Sequence, residues 1–366
     1  MQQPDSFPFF AKFSFNLISI CLIGVIIFLG QDILMPLCFA VVLSFLLLPV
    51  SNWLARKGMA QVPAMLISIF IAVALIAAII YFFSVQIAHF IEDLPQIKRN
   101  LNKHIYTIQQ WIRENFNISR REQQEAVQSA AEDMKTTGPG MLGTTFITAA
   151  SVLIIVVLLP IYTFLMMYYR DLIKHFLINI FSDKHRGSVE EVLKESRGII
   201  QSYMVGLMIE MAIVAGLNAA GFLMIGIEYA IFLAVLAAIL NMIPYVGMLI
   251  ATVICMGITM ANANTIADII WVGVVLTIVQ FIDNNLLMPY VVSSKVKINA
   301  LVSIIGVLVG GALAGVSGMF LSIPGIAIMK SIFDRVDGLK PWGMILGDDR
   351  TITKPTLRQR LKKAAK

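Results

Sequence analysis

Residues 62–91, VPAMLISIFIAVALIAAIIYFFSVQIAHFI, run for thirty positions without a Lys, Arg, Asp or Glu. About 20 apolar residues are enough to carry a helix across a ~30 Å hydrocarbon core. Similar runs recur at about 14–30, 33–51, 144–168, 203–225, 229–260, 266–290 and 299–333. The chain is 58% hydrophobic and only 14% charged, with a mean hydropathy of +0.83. A soluble domain is about 45–50% apolar and about 25% charged. A polytopic all-α membrane protein is the fold class these runs require, because lipid tolerates only helices or closed barrels.

A net charge of +6 would suggest nucleic acid in a soluble protein, but here it reads as cytoplasmic Lys and Arg fixing topology, with no nucleic-acid partner. The basic residues fall in blocks: Lys12; Arg56 and Lys57; seven in 92–143; six in 169–202; Lys295 and Lys297; and ten from Lys330 onward. The short links at 31–32, 226–228 and 261–268 carry none. The first apolar run is followed by GQDILMP, which has no small-x-small cleavage site, so it reads as a retained anchor. With the N-terminus inside, 92–143 lies outside and 169–202 inside. Cys21, Cys38 and Cys255 all sit in apolar runs, which argues against disulfides and metal ligation.

The runs at 229–260 and 299–333 would be near 50 Å as straight helices, far more than one crossing needs. Each breaks near its middle, at Pro244 and Gly247 in NMIPYVG and at Gly315, Ser317 and Gly318 in GGALAGVSG. Either every run crosses, giving eight crossings, or these two are re-entrant helical hairpins and six runs cross fully. The second alternative keeps Lys295 and Lys297 inside and is preferred. It makes 203–260 and 266–330 two copies of a crossing helix followed by a hairpin, in opposite orientations, which is the inverted-repeat plan of many secondary transporters. The organisation is then N-terminal transmembrane helices (1–91), an extracytoplasmic helical segment (92–143), a transmembrane helix and cytoplasmic link (144–202), a core (203–333) and a basic cytoplasmic tail (334–366). In the outer segment Leu94, Ile97, Leu101, His104, Ile108 and Trp111 recur at helical spacing, and SRRE at 119–122 is a capping box for a second helix. Its heptad-like face hints at a homo-oligomer.

Several residues in the core can carry chemistry. Pro244 and Gly247 free backbone groups that survive in lipid only when buried in protein or facing water. Asn241 adds an amide one turn before. Asp283, in QFIDNN, is an intramembrane carboxylate suited to binding a cation or carrying a proton, unless it pairs structurally with Lys295 or Lys297. Gln280, Asn284 and Asn285 flank it. Glu210, in GLMIEMAIV, is the other lone carboxylate, and a pair sharing one site would suit proton coupling. Gly311, Gly315 and Gly318 permit close contact and exposed backbone, with Ser317 among them. These twelve are the expected substrate- or ion-binding positions.

The stretches RGIIQSYMVG (197–206), GLNAAGFLMIGIEYAIFLAVLAAILNMIPYVG (216–247) and QFIDNNLLMPYVV through PGIAIMK (280–330) resemble the autoinducer-2 exporter-like (AI-2E) family of bacterial membrane proteins. The shared pattern is Ile-Pro-Tyr-x-Gly, then Asp-Asn near a Pro, then Gly-Gly-x-x-x-Gly-x-x-Gly and a final Pro. Met248, where many members have Pro, and Leu286, where an aromatic is common, depart from it. The resemblance implies a multi-pass protein of the bacterial inner membrane. It also implies export of a small polar metabolite or signal such as autoinducer-2, or sodium or proton antiport; a channel-like or scaffolding oligomer is the further alternative. No cofactor is expected beyond a coupling Na⁺ or H⁺, and the partners are the bilayer and a small-molecule or ion substrate.

An enzyme is not expected. GVSG at 315–318 is similar to the Gly-x-Ser-Gly of rhomboid proteases, but a serine nucleophile needs a base, and the four histidines all lie at or beyond segment ends. Neither a G-x-x-x-x-G-K-[ST] loop nor HExxH occurs, so no ATP motor is encoded in a recognisable form.

Overall fold

The computed structural model describes residues 9–93, 156–262, 265–292, 298–336 and 338–347, with single positions at 99, 106, 110, 113 and 114. The expected outer helices beyond Asp93, the SRRE cap, Lys295, Lys297 and the tail beyond Gly347 lie outside the described residues. The described chain is helical. Its elements are α1 (Phe9–Leu29), α2 (Gln31–Arg56), α3 (Gln61–Glu92), α4 (Val156–Tyr168), α5 (Arg170–Asn179), α6 (Asp183–Ile225), α7 (Ala230–Asn241), α8 (Gly247–Asn262), α9 (Ile266–Ile282), α10 (Ala300–Arg335) and α11 (Lys340–Leu346). A π-helical stretch, Asp283–Val292, continues α9. Among the described residues five helices are long and apolar enough to cross a bilayer, or six if α4 and α5, bent by 63°, count as one span. This is the fold of a polytopic membrane protein.

Helix ends follow ordinary capping chemistry. Gly58, at φ +96°, ends α2, and Lys57 lies 3.8 Å over the Trp53 ring, as snorkelling cations do at a lipid boundary. Gly226, at φ +82°, ends α6. At the start of α9 the Asp268 carboxylate accepts from the Thr265 N–H at 3.2 Å, and at the start of α10 Asn299 Oδ1 accepts from the Leu301 N–H at 2.9 Å. Outward residues of the long helices are apolar, as lipid requires; Phe70 and Leu75 on α3 are 71% and 62% exposed.

The chain forms two compact units. One comprises residues 39–168 and 206–291. In it Leu48 of α2, Met65 and Ile69 of α3 and Met167 of α4 make one apolar cluster. A larger cluster joins Phe222 of α6, Leu233, Ala234 and Ala237 of α7, Ala251 and Cys255 of α8, and Val272 and Leu276 of α9. Helices α7 and α8 double back on each other: Cys255 Sγ lies 3.7 Å from the Leu233 carbonyl oxygen, and Gly247 abuts the Leu240 carbonyl. These pairs are symmetric about the 242–246 turn, so the two arms are antiparallel.

The other unit comprises 1–38, 169–205 and 292–366. Its α10 reads as one helix of 36 residues, yet Ala314 (φ −148°, ψ 29°) and Gly315 (φ 57°, ψ −144°) are not helical. In a straight helix Gly306 and Ile326 would be ~30 Å apart. Here a Cβ added to Gly306 would strike the Ile326 side chain, and one added to Gly310 or Gly318 would strike the other's carbonyl. The segment is therefore a second helical hairpin, with arms closed backbone to backbone across a glycine pair. Its base is tied down. Asn299 N–H donates to the Leu346 carbonyl at 3.0 Å, and Ile298 bridges Gly347. On the second arm Arg335 pairs with Glu195 and lies 3.7 Å from Glu191 of α6, while Ser331 donates to Glu195 at 2.5 Å. Lys174 of α5 bonds Glu190 of α6 at 2.6 Å and holds that carboxyl below the usual carboxylate range, first by the hydrogen bond and then by its charge.

Candidate functional site

Helix α6 carries one buried stripe, Tyr203, Leu207, Glu210, Val214, Asn218 and Phe222, spaced by three and four. Val214 packs with Ala238 of α7 and Val279 of α9. One turn beyond each of those three residues come Glu210, Asn241 and Asp283. That register follows from α6 running antiparallel to both α7 and α9. The polar side chains therefore collect at one level below an apolar plug.

Glu210 is 5% exposed and Asp283 is 2% exposed. The two carboxyl groups are close enough for each to feel the other's charge. Asn241 Nδ2 donates to Asp283 Oδ2 at 3.1 Å. Glu210 Oε2 and Asp283 Oδ1 have no donor among the described residues. Two carboxylates side by side in an apolar interior need a positive charge between them, either a shared proton or a metal cation.

The neighbouring amides go elsewhere. Gln280 Nε2 donates to Asn284 Oδ1 at 3.0 Å, and Asn285 Nδ2 donates to the Phe281 carbonyl at 2.8 Å, both on the exposed side of the helix. On a helix, residues one position apart point about 100° apart, so Asn284 cannot share the direction of Asp283. In the 242–246 turn, Met242, Ile243, Val246 and Gly247 N–H groups are bonded to the carbonyls of Ile239, Leu240, Pro244 and Ile243. Pro244 thus shapes the turn, and these donors are already used. Tyr245 takes the left-handed conformation at φ +64°, 54% exposed. Gly247 is fixed by the close Leu240 carbonyl. Gly311, facing Met319, with Gly315, Ser317 and Gly318, belongs to the α10 hairpin in the other unit.

At the far end of α6 a cavity of about 280 Å³ opens, lined by Gly226, Glu228, Tyr229, Thr259, Asn262 and Asp268 among others. The Tyr229 hydroxyl donates to the Asp93 carboxylate, tying the start of α7 to the end of α3. Sequence reading passed over Asn218, 1% exposed with Oδ1 lacking a donor among the described residues, and over the Tyr229–Asp93 pair. The signal for Asn218 was its place eight residues beyond Glu210 on the buried stripe.

Comparison with known proteins finds transport proteins among the relatives of this chain. The "Putative transport protein YrrI" of Bacillus subtilis (strain 168) is 24% identical over 310 residues, covering 82% of this chain and 85% of its own. The "Putative transport protein YhhT" of Escherichia coli (strain K12) is 24% identical over 325 residues, covering 88% and 90%. The "Putative permease PerM" of the same strain is 26% identical over 321 residues, covering 84% and 88%. The family described as AI-2E family transporter matches residues 17–338, a span that takes in the carboxylate pair and both hairpins. The chain belongs to the AI-2E family of transporters.

Proposed function

We propose that the chain is a gradient-driven secondary transporter of the bacterial inner membrane that exports a small polar metabolite or signal of the autoinducer-2 kind. A monovalent cation, H⁺ or Na⁺, is coupled through Glu210 and Asp283. The observation that carries this is the buried carboxylate pair with one unpartnered oxygen on each side chain. Such a pair alternates between a cation-loaded and a proton-loaded state at little structural cost, and that alternation is what coupling requires.

The two helical hairpins are read as re-entrant and inverted. Both ends of the α7–α8 hairpin line the same cavity, and that end is tied to Asp93, at the start of the segment read as external. The base of the α10 hairpin's first arm is tied to Leu346 at the end of α11, and the base of its second arm is tied to Glu195, in the link read as cytoplasmic. The distribution of Lys and Arg assigns 92–143 to the outer face and 169–202 to the inner one. The hairpins then enter from opposite sides, with N- and C-termini inside, as in inverted-repeat transporters.

The test is flux in proteoliposomes holding a trapped pH dye, with a sodium or proton gradient imposed, alongside autoinducer-2 release from producing cells with and without the chain. Gradient-dependent flux that is lost in Asp283→Asn supports coupling. Flux indifferent to both the gradient and that substitution overturns coupling and leaves a channel-like conductor.

A further inference from the structure

Asn218 is a buried polar side chain that the carboxylate site does not use. It stands on the α6 stripe between Val214, which packs with Ala238 and Val279, and Phe222, which packs in the cluster of Leu233 and Leu276. It is 1% exposed, and its Oδ1 accepts no hydrogen bond among the described residues. An apolar side chain of the same size would avoid an unsatisfied acceptor and stabilise the helix contact, so the amide stands there against the local packing preference.

Its position along the helix is regular. Glu210 and Gly226, the latter in the cavity wall, lie eight residues to either side, ~12 Å each along the axis. A cation passing from the cavity to the carboxylates would otherwise cross ~24 Å of apolar interior unaided. Without oxygen ligands that step is prohibitive. A single oxygen at the midpoint divides it into two shorter ones, each across one apolar layer. In the clusters on either side of it α7 contributes Ala238, beside Val214, and Ala234 and Ala237, beside Phe222, the smallest side chains that keep a helix.

We propose that Asn218 is a cation-binding position midway between the outer cavity and the Glu210–Asp283 pair, where Oδ1 ligates a sodium-sized cation in transit. It rests on the coupling proposed above and narrows it. An amide oxygen ligates a hard cation but does not titrate, so this station serves a metal ion rather than a bare proton.

The experiment uses the purified full chain in detergent, reading radioactive sodium binding and the thermal midpoint in sodium chloride against choline chloride. Asn218→Leu should weaken sodium binding roughly tenfold or more and abolish the sodium-dependent rise in midpoint. Its midpoint in choline should be unchanged or higher, whereas a merely structural amide would lose stability there. Asn218→Asp should keep or tighten sodium binding, and Asn218→Ala repeats the test with a smaller side chain if the leucine variant does not fold. Unchanged sodium affinity in the leucine or alanine variant, with Asp283→Asn abolishing it, overturns the role of Asn218 and leaves the carboxylate coupling standing. Absence of sodium binding in the wild type overturns it too, and proton flux in the vesicles then decides separately on coupling.

Discussion

Asp283 and Glu210 were legible because a carboxylate in an apolar run has few uses. Their adjacency was legible only as an idea, since it depends on the antiparallel register of α6 and α9 around Val214, Ala238 and Val279. Gln280, Asn284 and Asn285 gave the same compositional signal as Asp283. They separate from it because winding sends them to the exposed side, where they bond along their own helix. If the two carboxyl groups share one cation, they act as a unit. Glu210→Gln and Asp283→Asn should each abolish gradient-driven flux, and the double variant should do no further harm. Their effects on thermal stability should fall short of additive by about 0.5–3 kcal/mol, since removing either charge relieves the same repulsion. Additive stability effects in a thermal double-mutant cycle would mean that the two groups do not interact.

At the scale of elements, the breaks in both long apolar runs were visible as Pro and Gly, and their lengths excluded a single straight crossing. Which glycine does what was not visible. Gly315 takes a positive φ (57°) at the turn of the second hairpin, next to the non-helical Ala314, while Gly310 and Gly318 close its arms. Gly325, on the second arm, has open space around it. Gly315→Val should therefore cost about 1–3 kcal/mol and lower the yield of monodisperse protein. Gly325→Ala should instead stabilise the arm by up to about 1 kcal/mol through helix propensity. Thermal melts of the two variants in one detergent decide this, and a harmless Gly315→Val would mean that the fold-back is not made at that residue. At the 242–246 turn a different rule wins. Pro244 promised freed backbone groups, but short local hydrogen bonds recapture the donors of Met242, Ile243, Val246 and Gly247. The α5–α6 contact has its own pH dependence. The Glu190 carboxyl is lowered in the folded chain, so the Lys174 clasp is complete above the ordinary Glu range and is lost as pH falls through the lowered value. Amide protection factors in α5, corrected for intrinsic exchange, should fall over that acidic interval and stay flat above it.

At the scale of the whole chain, the distribution of Lys and Arg did most to suggest a topology, because short basic loops resist translocation. What the sequence could not provide is which loops are tied together. The Asp93–Tyr229 and Glu195–Ser331 bonds each link residues 136 positions apart, and no periodicity announces such a pairing. In the inverted arrangement proposed above, Glu228 faces outward and Lys295 inward. Replacing Cys21, Cys38 and Cys255 gives a background for single reporter cysteines. In intact cells a membrane-impermeant maleimide should label Glu228→Cys and Asp268→Cys, which line the cavity. Lys295→Cys and Arg197→Cys should label only after the membrane is permeabilised. Eight simple crossings keep Arg197 inside and Glu228 outside but move Lys295 to the outer face and Asp268 to the inner one. Lys295 and Asp268 are therefore the discriminating positions, and labelling of Lys295→Cys but not Asp268→Cys in intact cells would abolish the inverted hairpins while leaving the carboxylate pair untouched.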